Sequence, residues 1–523
     1  MEPRHLRQIL TLLVILLVGY GVILALASGS GFPKAMSVDS HFPFLADKPV
    51  GEDGYYMLTV AWNIARGEGI TYNFNQPTTG IQPLYTLIEA GSAWLIQQFG
   101  GDKWDFTRSV IVLGVGNLIL FSYLIAKITI SLQPANRTQD PFLYIIAFLI
   151  SAFNFGLFRI FTYGLETGLY LILLALNVLI TMRWQLSRAM STWSALGFGA
   201  LAGLTILARL DYGLIFGVFL LVGLFRKQLT IFWVAAASFA AVLVACPWFY
   251  YVFKITGSLI PSSGFAQSGV ISSTSLGWRA WEIFRSLISH SIPWIYSRPS
   301  VILTWLAALV LAILAVLFFR SQEARHYAVS KFLHQRFNQN WLIAILTLLP
   351  IYLLVFKATY FYTRYLTPLQ IILIPAISTM IVFTLKNADK KWRLGLFLLL
   401  PASFFLWSYI TLHTGVVTNP QSVLAGYVQE HFSPDDRIGA FQSGVLGFFN
   451  PNVINLDGKM NQGALEALQI GQMDRYLDRE NISILVDWPE VIQKKLPVQY
   501  IAQAWIPCDE PVPDGRSICL IRK

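Results

Sequence analysis

Long apolar segments recur along most of this chain, and they restrict the folds open to it. About eleven segments approach the roughly 20 residues that an α-helix needs to cross a ~30 Å hydrocarbon layer. They lie at 9–27, 107–130, 141–158, 165–182, 193–208, 212–225, 229–253, 301–319, 341–357, 365–385 and 394–413. Only 13% of the 523 residues are charged, against roughly 25% in an average soluble domain. The sequence therefore predicts a multi-pass α-helical membrane protein.

The basic residues between these segments predict an orientation. With the N-terminus in the cytoplasm, most of the loop lysines and arginines fall on the inner side, as the positive-inside rule requires. They are Arg183, Arg188, Arg226, Lys227, Arg320, Arg325, Lys331, Arg336, Lys386, Lys390, Lys391 and Arg393. The net charge of +10 is then explained by the basic cytoplasmic loops of a membrane protein. Nucleic acid is therefore disfavoured as a partner. The first segment could be a signal peptide, but its apolar run is longer than a usual signal core and favours a retained signal-anchor helix.

An odd number of crossings divides the chain into two parts. Residues 1–413 form the membrane domain, with large external loops at about 29–106 and 254–300, and residues 414–523 form an extracytoplasmic tail. Four short apolar runs of the tail predict strands, at Arg437–Phe441, Val453–Leu456, Ile482–Val486 and Tyr500–Trp505. Two stretches predict helices, Gln462–Arg479 and Glu490–Lys495. The tail is therefore expected to be a small α/β domain with some parallel strand pairing.

Two cysteines of the tail, Cys508 and Cys519, flank a turn rich in Pro and Gly. An oxidising compartment outside the membrane would favour a disulfide between them. The sequence leaves the choice between a bonded pair and free thiols open.

The first external loop carries two adjacent carboxylates, Glu52 and Asp53. Such a pair can accept a proton from a hydroxyl or amine, or hold a divalent cation through oxygen ligands. A solvated loop is the alternative. Acidic groups are costly close to hydrocarbon, so the pair is a candidate functional site.

The residues from Glu52 to Asn73, EDGYYMLTVAWNIARGEGITYN, are followed by TGIQPLY. This stretch resembles the first external loop of integral-membrane glycosyltransferases with the GT-C fold, a superfamily that includes the aminoarabinose transferase of lipid A and the protein O-mannosyltransferases. The resemblance implies a GT-C-like catalytic domain at 1–413 and a polyprenyl-phosphate-linked sugar donor. It also implies that the first acid of the pair is the catalytic base. That position is Glu52 here, whereas the family usually has Asp, so Glu52 and Asp53 both remain candidates.

Further segments resemble the family in the same order along the chain. They are FGLFRIFTYGLETGLYLILL with Glu166, LTILARLDYGLIFGVFLL with Arg209 and Asp211, and YFYTRYLTPLQ with Arg364 and Tyr365. Arginine suits a donor phosphate because its fork can donate two parallel hydrogen bonds. Arg364 is therefore the predicted phosphate ligand, and Lys357 is the second. The alternatives are an Arg364 that extends to lipid headgroups and a purely structural Arg209–Asp211 ion pair.

Residues beyond the acids and cations complete the predicted cavity. Tyr55 and Tyr56 follow the acidic pair, and Asp457 and Asn461 lie in the tail segment VINLDGKMNQ. A tight turn after a strand is the alternative for the last two. The sequence assigns no metal ligand, and a divalent cation remains a possible cofactor.

The sequence thus predicts a glycosyltransferase in a bacterial cytoplasmic membrane. It would move a sugar from a polyprenyl-phosphate carrier to an envelope lipid, glycan or protein on the outer face, by an inverting displacement. A transporter or flippase without covalent transfer is the alternative function, although such proteins often show paired halves that are not visible here. A non-catalytic scaffold is a third possibility.

Overall fold

A computed structural model describes ten stretches of the chain. They are residues 3–26, 50–132, 140–187, 191–268, 274–292, 300–321, 336–356, 359–386, 390–413 and 420–523. These stretches are mainly helical, and one small sheet lies near the C-terminus. Lys357, the second predicted phosphate ligand, falls outside the described residues.

The described residues up to 413 form α-helices and three short 3₁₀ turns. The α-helices are Pro3–Leu26, Glu52–Ala65, Pro83–Gln98, Lys103–Ser131, Pro141–Ala152, Phe155–Phe161, Thr167–Ser187, Thr192–Ala208, Tyr212–Phe225, Ile231–Thr256, Ser262–Ser268, Leu276–Ser291, Val301–Arg320, Arg336–Leu346, Leu348–Leu354, Tyr362–Tyr365, Gln370–Thr384 and Lys390–His413. The 3₁₀ turns are Asn73–Asn75, Thr359–Phe361 and Thr367–Leu369.

Each predicted apolar segment coincides with a helix or a helix pair. Among the described residues, 5 helices are long and apolar enough to cross a membrane, or up to 6 with the pair Pro141–Ala152 and Phe155–Phe161, which is bent by 59°. The remaining predicted segments correspond to shorter apolar helices, such as Thr192–Ala208 and Tyr212–Phe225. The positions of the helices are therefore confirmed, while eleven crossings and their orientation stay predictions.

Two of the long apolar helices present large hydrophobic side chains on the outside of the protein. Ile302, Trp305 and Val310 of the helix Val301–Arg320 are exposed, as are Phe239 and Val242 of Ile231–Thr256. Contiguous apolar surface of this extent is unfavourable in water and favourable against lipid tails. The arrangement fits a multi-pass membrane protein.

The C-terminal residues form a five-stranded mixed sheet in the order β2-β1-β3-β5-β4. The strands are β1 (Ile438–Ala440), β2 (Val453–Asn455), β3 (Ile484–Asp487), β4 (Trp505–Pro507) and β5 (Ile518–Arg522). Strand β1 pairs in parallel with β2 and with β3, whereas β5 runs antiparallel to β3 and to β4. The predicted α/β fold of the tail and its parallel pairing are confirmed.

Two of the predicted elements of the tail take a different form in the structure. Residues expected as a strand at Tyr500–Trp505 are mostly the helix Val498–Ala504, and the strand begins only at Trp505. The predicted helix Gln462–Arg479 is two helices, Gln462–Gln469 and Met473–Arg479. It is interrupted at Gly471, where φ is +67°, a conformation that ends helices because it needs no Cβ. The other helices of the tail are Pro420–His431, Gly444–Phe449 and Pro489–Lys495.

A shared hydrophobic core packs the C-terminal residues against the segment 50–111. Tyr55 packs against Phe448 with ring centroids 5.3 Å apart, and Trp104 packs against Phe449 at 4.6 Å. The Lys103 ammonium also donates to the Phe448 carbonyl. Aromatic burial of this kind stabilises an interface strongly. These contacts place the loop after β2 next to the start of the helix Glu52–Ala65.

Candidate active site

The acidic pair forms the first turn of the helix Glu52–Ala65. Carboxylates are stabilised there because the helix dipole is positive at its N-terminus. The preceding residue, Gly51, donates its backbone N–H to the Tyr163 carbonyl at 3.1 Å. This bond joins the start of the helix to the segment before Glu166.

Glu52 binds the C-terminal domain. Its carboxylate accepts hydrogen bonds from the backbone N–H of Gly444 and, at 3.0 Å, of Val445. Burial raises the pKa of Glu52 to about 7, and the two backbone N–H donors offset part of that rise. Glu52 thus joins the helix Glu52–Ala65 to the helix Gly444–Phe449 near the C-terminus.

Asp53 binds cations. One carboxylate oxygen lies 3.1 Å from the Lys459 ammonium and the other 3.9 Å from the Arg364 guanidinium. Burial opposes ionisation of Asp53, but the charges of Lys459 and Arg364 outweigh it and hold its pKa below the ordinary value. Asp53 is therefore a carboxylate at neutral pH.

Lys459 belongs to the loop that follows β2, and it reaches back over 406 positions of sequence to Asp53. Its ammonium also lies 3.4 Å from the Asp457 carboxylate and 5.4 Å from the Tyr56 ring centroid. The Tyr56 hydroxyl donates to Asp457 at 3.4 Å. Coulombic attraction to the two aspartates outweighs burial and raises the pKa of Lys459 above its ordinary value.

A second charged cluster lies at the ends of two membrane helices. Arg209 donates to both carboxylate oxygens of Asp211, at 3.1 and 2.6 Å, and it lies 3.7 Å from Glu166. Tyr352 also donates to Asp211, at 3.1 Å. The expected Arg209–Asp211 ion pair is therefore present, and Glu166 joins it.

Tyr365 connects the two clusters. The guanidinium of Arg209 lies 4.8 Å from its ring centroid and that of Arg364 lies 5.2 Å from it. Arg364 also stacks on Phe361 at 5.3 Å. Stacking of this kind orients a guanidinium without using its N–H donors, and the Arg364 Nε has no hydrogen-bond partner among the described residues.

Two cavities meet at the acidic site, and Asp53, Leu165 and Arg364 line both of them. One cavity, of about 280 Å³, extends between the segment 156–165 and the helix Leu276–Ser291, where it reaches Arg159 and His290. The other, of about 380 Å³, contains the remaining charged side chains of the site. These are Glu166, Arg209, Asp211 and Lys459.

Seven of the residues singled out from the sequence line these cavities: Asp53, Tyr56, Glu166, Arg209, Asp211, Arg364 and Tyr365. Glu52, Tyr55, Asp457 and Asn461 line neither of them. Tyr55 is fully buried in the interface with Phe448 and does not line either cavity. Asn461 caps the helix Gln462–Gln469 by accepting from the Ala464 N–H at 3.2 Å. Asp457 contacts the site indirectly, through the Lys459 ammonium and the Tyr56 hydroxyl.

Sequence reasoning missed Lys459. The residue lies in the segment VINLDGKMNQ, two positions after Asp457. The available signal was a lysine two positions after an acid, in the loop that follows a predicted strand. It had no weight because nothing local placed the tail next to residue 53.

The acidic site does not have the form of a metal centre. Both Glu52 oxygens accept backbone N–H groups, and an ammonium already lies between Asp53 and Asp457. Across the described residues, no group of three or more His, Cys, Asp or Glu side chains is arranged to hold a metal ion. The residues present therefore do not fit the divalent cation that the sequence left possible.

Comparison with known proteins identifies the fold. The chain superposes on ArnT from Cupriavidus metallidurans in the apo state with a TM-score of 0.60 and 13% identity, covering 98% of both chains. The structure of ArnT bound to undecaprenyl phosphate gives a TM-score of 0.57 and 13% identity over 97% of both chains. The oligosaccharyltransferase of Archaeoglobus fulgidus is less similar, with a TM-score of 0.49 and 15% identity over 92% of this chain and 69% of that chain.

The two superpositions on ArnT show that the chain has an ArnT-like fold. The predicted GT-C-like fold is thereby confirmed. No family model and no curated protein matches the sequence. At 13% identity the likeness is one of fold, and the activity has to be argued from the site.

Proposed function

We propose that this protein is a membrane glycosyltransferase that transfers a sugar from a polyprenyl-phosphate carrier to an envelope lipid, glycan or protein. The supporting observation is that an ionised Asp53, paired with Arg364, lies where two cavities join. A transferase needs a base and a phosphate-binding cation between two substrates. The ArnT fold, solved with undecaprenyl phosphate in that protein, is consistent with such a donor.

The reaction is a single displacement at the anomeric carbon. The acceptor hydroxyl or amine attacks this carbon while its proton passes to Asp53. The bond from the anomeric carbon to the phosphate oxygen breaks, and its electron pair stays with the phosphate. Arg364 neutralises the charge that develops there. Attack from the side opposite the leaving group inverts the sugar configuration.

Asp53 is the proposed base, and Glu52 is the proposed clamp. Both Glu52 oxygens accept from backbone N–H groups of the C-terminal domain, whereas Asp53 lines both cavities. A general base must lie within hydrogen-bond reach of the proton that it removes. Of the pair, Asp53 is the one whose side chain lines the cavities, which supports its assignment as the base.

Donor binding would also activate the base. In the free protein, Arg364 and Lys459 stabilise the Asp53 carboxylate and make it a weak proton acceptor. A donor phosphate competes with Asp53 for these cations. Asp53 then gains basicity when the donor is in place, which limits proton removal to the loaded site.

The smaller cavity suits the phosphate end of the prenyl chain. Apolar residues line it, among them Ile160, Leu165 and Phe361, and Arg159 and Arg364 supply positive charge. The larger and more charged cavity would hold the sugar and the acceptor. The cavities face the outer side in the proposed topology, with the C-terminal domain above them in the extracytoplasmic space.

Mass spectrometry of envelope glycolipids and glycans tests this function. A strain lacking the protein is complemented with the native chain, with Asp53→Asn, or with Asp435→Asn, an exposed aspartate of the tail. We expect one glycoconjugate to disappear in the deletion strain and to return with the native chain and D435N. With D53N we expect it to fall by about 100-fold or more.

Equal product from D53N and the native chain would refute the assignment. A labelled polyprenyl-linked sugar that crosses proteoliposomes without covalent transfer would identify a flippase instead.

A further inference from the structure

Lys459 occupies the place between two carboxylates where a divalent cation would be expected. Its ammonium is 3.1 Å from Asp53 and 3.4 Å from Asp457. Two carboxylates that converge on one point normally need a positive charge between them. Here the C-terminal domain supplies that charge from its own chain.

The backbone of Lys459 is held on three sides. Its N–H donates to Asp457 at 2.8 Å, and its carbonyl accepts from the Ser262 hydroxyl at 2.8 Å. Gly80 of the first external loop lies so close to this carbonyl that a Cβ at position 80 would overlap it. Residues of both predicted external loops, Gly80 and Ser262, therefore contact the Lys459 backbone and fix its position in the assembled site.

The ammonium retains binding capacity toward the cavity. It has three N–H donors, and the described residues engage it at two carboxylates, those of Asp53 and Asp457. Lys459 also lines the larger cavity. One donor is therefore left for an anionic oxygen of a bound substrate.

We propose that Lys459 is the resident cation of the active site, which takes the place of a divalent metal ion and makes the C-terminal domain part of the catalytic machinery. The proposal rests on the proposed transferase function. Lys459 orients the Asp53 carboxylate in the free protein and donates to the donor phosphate in the loaded one. Transfer by the native protein is accordingly independent of added metal.

Three variants of the purified full-length protein separate charge from shape. Lys459→Met keeps the length of the side chain and removes the charge. Lys459→Ala leaves space between Asp53 and Asp457 for an ion. Lys459→Arg keeps the charge, and Lys494→Ala, at an exposed lysine of the same domain, is the matched control.

Formation of the glycoconjugate that the deletion strain lacks is measured first with EDTA and then with added Mg²⁺ or Mn²⁺. We expect the native chain, K494A and K459R to be active in EDTA, and K459M and K459A to lose about 100-fold. Added Mg²⁺ or Mn²⁺ should restore part of the K459A activity, because two carboxylates with space between them can bind a hard cation. The same ions should leave K459M inactive, since its side chain still fills the space.

Several results would overturn the proposal. The first is loss of native activity in EDTA with recovery on adding metal. The second is full activity of K459M. The third is an inactive K459R together with a K459A that metal ions do not reactivate. Thermal unfolding of each variant identifies loss of the fold, and K459M remains informative if K459A does not fold. Absence of transfer by the native chain would instead disprove the proposed function.

Discussion

Glu52 and Asp53 are adjacent in the chain, yet their carboxyl groups have different partners. Glu52 accepts backbone N–H groups and burial raises its pKa to about 7. Asp53 faces Lys459 and Arg364, whose charges lower its pKa against the effect of burial. Environments that shift the pKa values of two neighbouring acids in opposite directions commonly give the two acids different roles. Here they separate a domain clamp from a candidate base.

Arg364 is the residue on which donor binding should depend most. Replacing it by lysine keeps the charge but removes the planar fork and the stacking on Phe361 and Tyr365. We expect the Kd for undecaprenyl phosphate to rise about tenfold for R364K, which equals ~1.4 kcal/mol. Binding can be measured by microscale thermophoresis in detergent, with Arg475→Lys, an exposed arginine of the tail, as the control.

An unchanged Kd for R364K and for Arg364→Ala would instead support the alternative that this side chain only extends to lipid headgroups.

At the scale of the elements, the antiparallel pair β4–β5 closes the sheet of the C-terminal domain. Cys508 and Cys519 are bonded just beyond β4 and within β5, with Cα atoms 5.4 Å apart. The Cys508 N–H also donates to the Cys519 carbonyl at 3.1 Å. The disulfide that the sequence left open is therefore present, and it holds the short edge strand β4 in register.

Loss of this disulfide should destabilise the C-terminal domain. A cross-link over 11 positions limits the unfolded chain, so the double variant Cys508→Ser/Cys519→Ser should lose about 2–4 kcal/mol of unfolding free energy. Urea unfolding followed by tryptophan fluorescence measures the loss, with dithiothreitol-treated native protein as a parallel sample. Equal stability of the oxidised native chain and the variant would contradict the prediction.

Across the whole molecule, the C-terminal domain is joined to the membrane domain by a hydrophobic core and by polar contacts at the site. Tyr55 and Phe448 belong to the core, whereas Glu52 and Lys459 make the polar contacts. Docking and catalysis are therefore expected to be coupled. A change that loosens the interface would also remove Lys459 from Asp53.

The clamp at Glu52 gives this docking a pH dependence. Its folded-state pKa is about 7 against an ordinary 4.5, so the folded protein binds a proton that the unfolded chain has released between these values. Its contribution to stability is full below about pH 4.5 and is lost as the pH rises to about 7, by at most about 3.5 kcal/mol at ~1.4 kcal/mol per pKa unit.

Glu52→Gln should flatten the fall in unfolding free energy between pH 5 and 7.5, measured by urea titration of the detergent-solubilised protein. Asp487, whose pKa burial raises to about 6, leaves a smaller slope of the same sign. Asp487→Asn is thus a useful comparison. An identical slope in the native chain and E52Q would contradict the interpretation.

Local sequence determined the elements more completely than the site. The apolar segments predicted the membrane helices because continuous hydrophobicity of that length has few other solutions. The tail was less readable: Pro497 precedes the helix Val498–Ala504, where a strand was expected. Strand β5 was missed although it is the longest of the five strands, and its pairing with β3 and β4 places it in the sheet.

The sequence by itself determined the apolar helices, the acidic pair and the order of the charged motifs, because these depend on neighbouring residues. Only the tertiary structure decided that Glu52 would bind backbone, that Asp53 would bind two cations, and that one of them would be Lys459. Asp53 and Lys459 are separated by 406 positions. Their pairing depends on the packing of Tyr55 and Trp104 against Phe448 and Phe449, a long-range burial that local sequence does not encode.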